Sequence, residues 1–231
     1  MNQRYFITST GTGIGKSFIT AAMVRQAKAL GQSVAAYKPV ISGFDPAQPA
    51  DSDTGLLLKS LGKPLTPENI EHISPWRYAA PLAPSMAARM ENKPLDFRAL
   101  VAHSQKALEG TEDIVLIEGV GGVAVPLTQF RTVLDWMQFL AIPTLLVTGT
   151  YLGSISHTLT AISTLKQRHI PLRAIIVNES EGASVSLEDT VSELKIWVET
   201  EFLPIPFMDG ENGLGSNTSL GKLACLLQPK K

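Results

Sequence analysis

Residues 5–17 read Tyr-Phe-Ile-Thr-Ser-Thr-Gly-Thr-Gly-Ile-Gly-Lys-Ser, and this run constrains the chain more than any other. A short apolar segment, Tyr5–Thr8, passes through glycines into a stretch of helical spacing, Lys16–Leu30, that stops at Gly31, a natural residue just past a helix end. Strand, glycine-rich loop and helix N-terminus in that order converge backbone N–H groups on an anion. Gly11, Gly13 and Gly15 let the main chain approach phosphate oxygens with no Cβ in the way. The strict spelling G-x-x-x-x-G-K-[ST] is not met, because the position five before Gly15 is Thr10. A loop one residue longer begins at Ser9, which stands where its first glycine belongs. The plain alternative is a glycine-rich turn with a lysine opening the helix, a charge that the helix dipole disfavours unless an anion is bound. The run is therefore read as a phosphate-binding loop. Lys16 would neutralise the β- and γ-phosphates, and the Ser17 hydroxyl would be a ligand for Mg2+.

Further β-rich apolar runs follow at Val34–Tyr37, Ile114–Ile117, Thr144–Val147 and Ala174–Val177. Most are apolar on both sides, as strands of a parallel sheet covered on both faces must be. Helical segments separate them. Ser154–Arg168 opens at an N-cap serine and ends in basic residues before Pro171. Ser186 and Asp189 resemble a cap for a helix whose apolar side carries Val191, Leu194, Trp197 and Val198. Alternating strands and helices predict an α/β fold: a doubly wound, mainly parallel sheet with helices on both faces, in a single nucleotide-binding domain over residues 1–231. Residues 43–51 read as a mobile loop, and residues 74–94 interrupt the alternation with four prolines, their later part (Ser85–Met90) being helical in character. In such a sheet ligands collect at the C-terminal strand ends, so the loops after residues 8, 38, 118, 148 and 177 are where chemistry is expected.

The formal net charge of -1 and the lack of any Lys/Arg run argue against a nucleic-acid or anionic-membrane partner. No apolar run reaches the roughly 18 residues of a membrane span, and no targeting segment is apparent, so a soluble cytoplasmic protein is expected. The single cysteine, Cys225, excludes an intrachain disulfide and fits a reducing compartment; within the apolar run Leu220–Leu227 it reads as a packed core thiol.

A phosphate loop needs metal ligands and a substrate side before it names a reaction. Ile114–Gly122 places Glu118 at the tip of a buried strand, where an unpaired carboxylate costs several kcal/mol and a metal ion is an economical partner. Asp51-Ser52-Asp53 offers further hard oxygens suited to Mg2+, although the same residues are good N-cap material for a helix over Thr54–Ser60. Lys38, after the second strand, would meet an anion forming beside the γ-phosphate. On that segment alone, a lysine snorkelling from a strand end accounts for it equally well. Ser42 follows closely and would contact a substrate, and Asn178, at the end of the fifth strand, has an amide suited to a base edge. The stretch Leu152–His157 opens a helix whose free N–H groups suit a carboxylate, and His157 there reads as a solvated or core-satisfied residue.

Taken together, "YFITSTGTGIGKS", "AYKPVISG", Ser52-Asp53, "PLAPSMAA", "VLIEGVGG" with "VPL" after it, "LGSISHT" and "VNE" resemble the dethiobiotin synthetases, over most of the chain. "YKPV" followed by Ser-Gly, and "EGxGG" after a strand, are the more specific of these motifs. The resemblance implies a C–N-forming cyclo-ligase that uses ATP, Mg2+ and CO2 to close a cyclic urea on 7,8-diaminopelargonate. A carbamate is phosphorylated, and the second amine then displaces phosphate. It further implies that Lys16 and Lys38 hold the γ-phosphate and the carbamate, and that Ser17, Asp53 and Glu118 surround Mg2+. Nucleotide contacts would come from Gly13, Ile14, Gly15, Phe18, Gly119, Val120 and Gly121, and from Asn178 and Glu179 near adenine. Pro206, Phe207, Met208 and Glu211 fall on the family's nucleotide-side loop. Thr12 and Ser42 would face the diamine, and Ser154, Ile155 and Ser156 would meet its carboxylate from the other subunit of a homodimer.

The chain departs from the family pattern in three places. Ser9-Thr10-Gly11-Thr12 replaces Gly-Thr-Asp-Thr with Gly13 where an acid often stands, Ser17 replaces threonine, and Ser85 stands where histidine is common. Two rival readings predict other features. A cobyrinate-type amidase synthetase needs a glutaminase domain with a nucleophilic cysteine, and a partitioning-type ATPase carries an additional lysine early in the loop. Neither is present. A degenerate member that binds nucleotide without turnover is the third.

Overall fold

The computed structural model describes residues 2–208 and 220–228. Its six-stranded sheet is parallel throughout. In chain order its strands are β1 (Gln3–Ser9), β2 (Val34–Tyr37), β5 (Ile114–Glu118), β6 (Thr144–Thr148), β7 (Leu172–Asn178) and β8 (Glu201–Ile205), and in space they lie β2-β5-β1-β6-β7-β8. The five strands expected from sequence are all present, each at the expected place. The chain runs outward from β1 to β2, returns to insert β5 between them, and then continues on the other side of β1. That reversal opens a crevice beyond the C-terminal ends of β1 and β5, the place where open α/β sheets bind ligands.

The double apolar character of these strands resolves into two cores, because successive side chains point to opposite faces. Tyr5, Ile7, Leu116, Leu145, Val147 and Ile176 face a cluster with α1 (Lys16–Ala29) and α2 (Asp53–Leu61). Phe6, Ile117, Leu146, Ile175 and Val177 face a second cluster. That one is built on α4 (Pro84–Met90), α5 (Phe97–Leu108), α6 (Val133–Leu140), α7 (Ser154–Gln167) and α8 (Leu187–Trp197). Trp136 of α6 is fully buried, edge-on to Phe6 at 4.9 Å, and its Nε1 donates to Ser104 Oγ at 3.1 Å, so its one polar group is satisfied.

Several elements were not legible in sequence. The strand β8 carries Pro204, which cannot donate to a ladder; it is tolerated because β8 lies at the sheet edge, paired with β7 alone. A two-stranded parallel ladder of β3 (Val40–Ser42) and β4 (Trp76–Tyr78) lies outside the main sheet, β4 falling within the proline-rich interruption. No element was assigned to α5, α6 or α3 (Pro67–Ile73).

Three local expectations are corrected. Trp197 is not on the apolar side of α8: it is 64% exposed and donates to Glu193, while Val191, Leu194 and Val198 are buried. The cap of α7 is Gly153, in a left-handed conformation, and Ser154 is the first helical residue. Cys225 is exposed rather than packed. Residues Leu220–Leu226 form a 3-10 helix, whose three-residue period turns Leu220, Leu223 and Leu226 inward and Cys225 out. Partial desolvation of its thiol against the surface and the neighbouring Glu201 push the Cys225 pKa up to about 11, so it is not poised as a nucleophile. Among the described residues no helix is long and apolar enough to cross a membrane.

Candidate active site

The loop between β1 and α1 closes over the crevice with Gly15 as the residue before the helix, at φ 88. The left-handed backbone requires glycine there, and a Cβ would also crowd Asn178 Nδ2, the tip of a side chain that would have to shift. Ser9, the residue that breaks the standard spelling, ties the loop together. Its hydroxyl reaches the carbonyls of Gly11 (2.5 Å) and Gly121 (3.1 Å) and lies 3.0 Å from the Lys16 ammonium. Sequence reasoning gave Ser9 no role, although the missing glycine was the signal. Lys16 Nζ is folded back over its own loop, also 3.4 Å from the Gly11 carbonyl. Burial, then the nearby Lys38 charge, lower its pKa to about 8.

Glu118 ends β5 with its side chain fully buried, and Lys38 follows β2 with 3% exposure. Because β2 and β5 are neighbours in register, Tyr37 opposite Ile117, the two side chains meet. Lys38 Nζ lies 2.6 Å from Glu118 Oε1, 3.1 Å from Asp53 Oδ2 and 3.0 Å from the Gly119 carbonyl. Ser17 Oγ donates to the same Glu118 Oε1 at 2.6 Å. Burial pulls the Lys38 ammonium down, but the Glu118 and Asp53 carboxylates outweigh it and hold its pKa above the ordinary lysine value. Burial likewise raises Asp53, and Lys38 with Ser17 more than offsets it, leaving that carboxyl below its usual range. The N-cap of α2 is Ser52, which accepts from the Gly55 N–H at 3.1 Å. Asp53 is therefore free of capping duty and faces Lys38. Lys38 is buried in an ion cluster, not a snorkelling strand-end residue.

A cavity of about 530 Å3 opens onto this cluster. Its lining includes Thr12, Gly13, Ile14, Gly15, Lys16, Ser17, Phe18, Lys38, Ser42, Asp53, Val120 and Gly121, so most residues singled out from sequence meet here. Ser42 Oγ is buried with no hydrogen-bond partner among the described residues. Gly121 is left-handed at φ 58, and a Cβ on it would lie 2.6 Å from Val125. An apolar wall from Ile41, Leu56, Leu82 and Val125 was not read from sequence; the proline-rich stretch before α4 was the only pointer to it. Ser85 faces away, and Pro84 takes its place in the lining.

Other expected residues lie outside the cavity. Gly119 sits behind it, its carbonyl on Lys38. Asn178 Nδ2 donates to the Ile14 carbonyl at 3.2 Å, linking the end of β7 to the phosphate loop. Glu179 accepts from the Phe207 N–H at 2.9 Å, which draws Pro206, Phe207 and Met208 toward Asn178; Glu211 lies outside the described residues. Ser154 (buried), Ile155 and Ser156 do not line the cavity of their own chain. His157, solvent-exposed, accepts or donates at Nδ1 to the Tyr151 hydroxyl (2.9 Å) on the outer flank of the phosphate loop.

The oxygen set fits Mg2+. Ser17 Oγ, Asp53 and Glu118 are hard donors, and Glu118 Oε2 is buried with no partner among the described residues, an orphan that a cation would satisfy. Among those residues no cluster of three or more His, Cys, Asp or Glu side chains exists, so a metal here needs ligands from phosphate and water as well.

Fold and loop together define a phosphate-loop nucleotide-binding protein. A family model described as an AAA domain matches residues 3–203. The septum site-determining protein MinD of Pyrococcus horikoshii, solved with Mg-ADP, shares the fold at a TM-score of 0.57 and 15% identity, over 98% of this chain and 95% of that one. Cobyrinic acid a,c-diamide synthase of Mycobacterium smegmatis does so at 0.56 and 14%, over 98% and 94%. At the sequence level the chain is 47% identical to the ATP-dependent dethiobiotin synthetase BioD of Methylobacterium nodulans over 193 residues, 81% of this chain and 85% of that protein. The chain belongs to the dethiobiotin synthetase family.

Proposed function

We propose that this chain is an ATP-dependent dethiobiotin synthetase of biotin biosynthesis, acting on 7,8-diaminopelargonate and CO2. The observation that carries this reading is the meeting of two ammonium groups, Lys16 and Lys38, with Ser17 and Asp53 on one cavity, the buried Glu118 carboxylate bonded to Ser17 and Lys38 behind them. A carbamate beside a triphosphate concentrates negative charge, and this is an arrangement that counters it. One substrate amine attacks the carbon of CO2 and loses a proton to solvent, giving the carbamate. A carbamate oxygen then attacks the γ-phosphorus, and the bond to ADP breaks. The second amine attacks the carbonyl carbon of this mixed anhydride, phosphate leaves with the C–O electron pair, and the amine proton passes to solvent. No general base is required for the phosphoryl step, because the attacking oxygen is already anionic. Two amines on adjacent carbons make the ring closure intramolecular, with a large effective molarity.

In this reading Lys16 would neutralise the phosphates and Lys38 the carbamate, and Thr12 and Ser42, which line the cavity, would face the diamine. Ser17, Asp53 and Glu118 would hold Mg2+, which when bound supplies charge neutralisation at the phosphates. The Ile41, Leu56, Leu82 and Val125 wall suits an aliphatic chain. We read the whole chain as one nucleotide-binding synthetase domain, cytoplasmic, whose second copy in a homodimer brings Ser154–Ser156 to the substrate carboxylate. The test is incorporation of radiolabelled CO2 into acid-stable product with ATP and 7,8-diaminopelargonate. ATP hydrolysis with no label fixed on any vicinal diamine would remove the synthetase reading and leave a nucleotide switch.

A further inference from the structure

An ammonium group has three protons to donate. In this structure Lys38 Nζ donates to Glu118 Oε1 (2.6 Å) and to the Gly119 carbonyl (3.0 Å), and is ion-paired with Asp53 Oδ2 at 3.1 Å. Its ammonium is thus held within the protein by two carboxylates and a carbonyl, and is engaged there rather than free to meet a carbamate or a γ-phosphate. The two carboxylates it holds are also those a divalent ion would need, Glu118 offering it the unpartnered Oε2 as well. Glu118 Oε1 is shared between Lys38 and Ser17 Oγ, and Asp53 Oδ2 completes the set. An ammonium and a divalent cation cannot both sit on these oxygens without strong like-charge repulsion.

We propose that Lys38 is a tethered stand-in for the metal: in the nucleotide-free protein its ammonium occupies the cation position between Glu118 and Asp53. Mg2+ entering with the nucleotide displaces it toward the cavity. The inference rests on the proposed function for the destination of the displaced ammonium, but not for the competition itself. Two features make the exchange feasible. Glu118, fully buried, must keep a cation beside it at all times, since the cost of an unpaired buried carboxylate is severe. Asp53, whose side chain is 42% exposed, keeps the cluster open to the cavity, so a metal can approach without unfolding anything. The phosphates brought by the nucleotide supply the ligands that two carboxylates and a hydroxyl lack, which gives Mg2+ the advantage only when nucleotide is present. The device thus makes binding of metal and nucleotide mutually dependent, and it couples metal arrival to delivery of Lys38.

The test is titration of nucleotide-free protein with Mn2+, read by the electron paramagnetic resonance signal of the free ion, for wild type, Lys38→Met and Lys38→Gln. Either variant is expected to bind Mn2+ at least tenfold more tightly than wild type. Its thermal midpoint, lowered without metal, should recover with millimolar Mg2+, whereas that of wild type should not move. Equal Mn2+ affinity in wild type and a folded variant would overturn the proposal. So would micromolar Mn2+ binding by nucleotide-free wild type, a result that needs no variant to fold. Neither readout involves turnover, so failure to fix CO2 would leave this inference standing, and equal Mn2+ binding would leave the synthetase reading untouched.

Discussion

Lys16 turns pH into a probe of the site. Its ammonium is 7% exposed, and burial with the Lys38 charge beside it brings its pKa from the ordinary 10.5 to about 8. That gap amounts to roughly 3 kcal/mol of unfavourable charging, which an arriving triphosphate relieves. Binding should therefore take up a proton whenever the free site is deprotonated. With a pKa near 8, the protonated fraction is about one half at pH 8 and about one tenth at pH 9, so affinity for a non-hydrolysable ATP analogue should fall about tenfold from pH 7 to pH 9. Near pH 9 close to one proton is absorbed per nucleotide. Lys38, held above the ordinary value, and Asp53, held below it, keep their charges throughout this window, as does the terminal phosphate, with a second pKa of roughly 6. Isothermal titration calorimetry in buffers of differing ionisation enthalpy measures both quantities. Affinity that is flat from pH 7 to 9.5, with no buffer-dependent heat, would refute the reasoning. For the ligand-free protein the same depressed value has the opposite reading. The unfolded chain holds the proton up to 10.5, so stability rises with pH from about 8 to 10.5.

Other consequences of the geometry are equally open to measurement. Lys38→Gln should cut turnover by roughly a hundredfold or more while the ATP analogue still binds, and near-normal turnover would show that its charge is not made for the transition state. Glu118→Gln leaves the Lys38 ammonium buried against one carboxylate only. A loss of about 3 kcal/mol should lower Tm by roughly 6–12 °C, read by calorimetry. Gly15→Ala combines a left-handed backbone, costing about 1–2 kcal/mol, with crowding of Asn178 Nδ2. Nucleotide affinity should drop by more than tenfold, and Asn178→Ala in the same chain should recover part of it; no recovery would mean that the backbone strain alone matters.

What the sequence made legible was whatever local pattern encodes. Strands apolar on both sides, such as Ile114–Glu118, declared a buried parallel sheet, and Lys16–Ala29 declared its helix through its spacing and Gly31. β8 was hidden by Pro204, whose missing N–H is harmless only because the strand lies at the edge, and edge position is a property of the whole sheet. The 3-10 turn at Leu220–Leu226 was hidden because its apolar run reads alike under a period of three or of 3.6, and only the former turns Cys225 outward. Asp53 was ambiguous between cap and ligand until Ser52 was seen to take the cap.

The amino-acid sequence alone determined the class of fold, the position of the phosphate loop and the set of residues at the C-terminal strand ends, because period, glycine placement and strand-to-helix order are short-range properties. The tertiary structure decided how those residues are used. Lys38 and Glu118 are 80 residues apart, and Ser17 and Glu118 are 101 apart. They meet because β5 inserts between β2 and β1, a strand order that no local pattern carries. Burial in that crevice then makes the charges interdependent: a buried carboxylate must have a cation, and the one beside it is the Lys38 ammonium, which it holds at 2.6 Å.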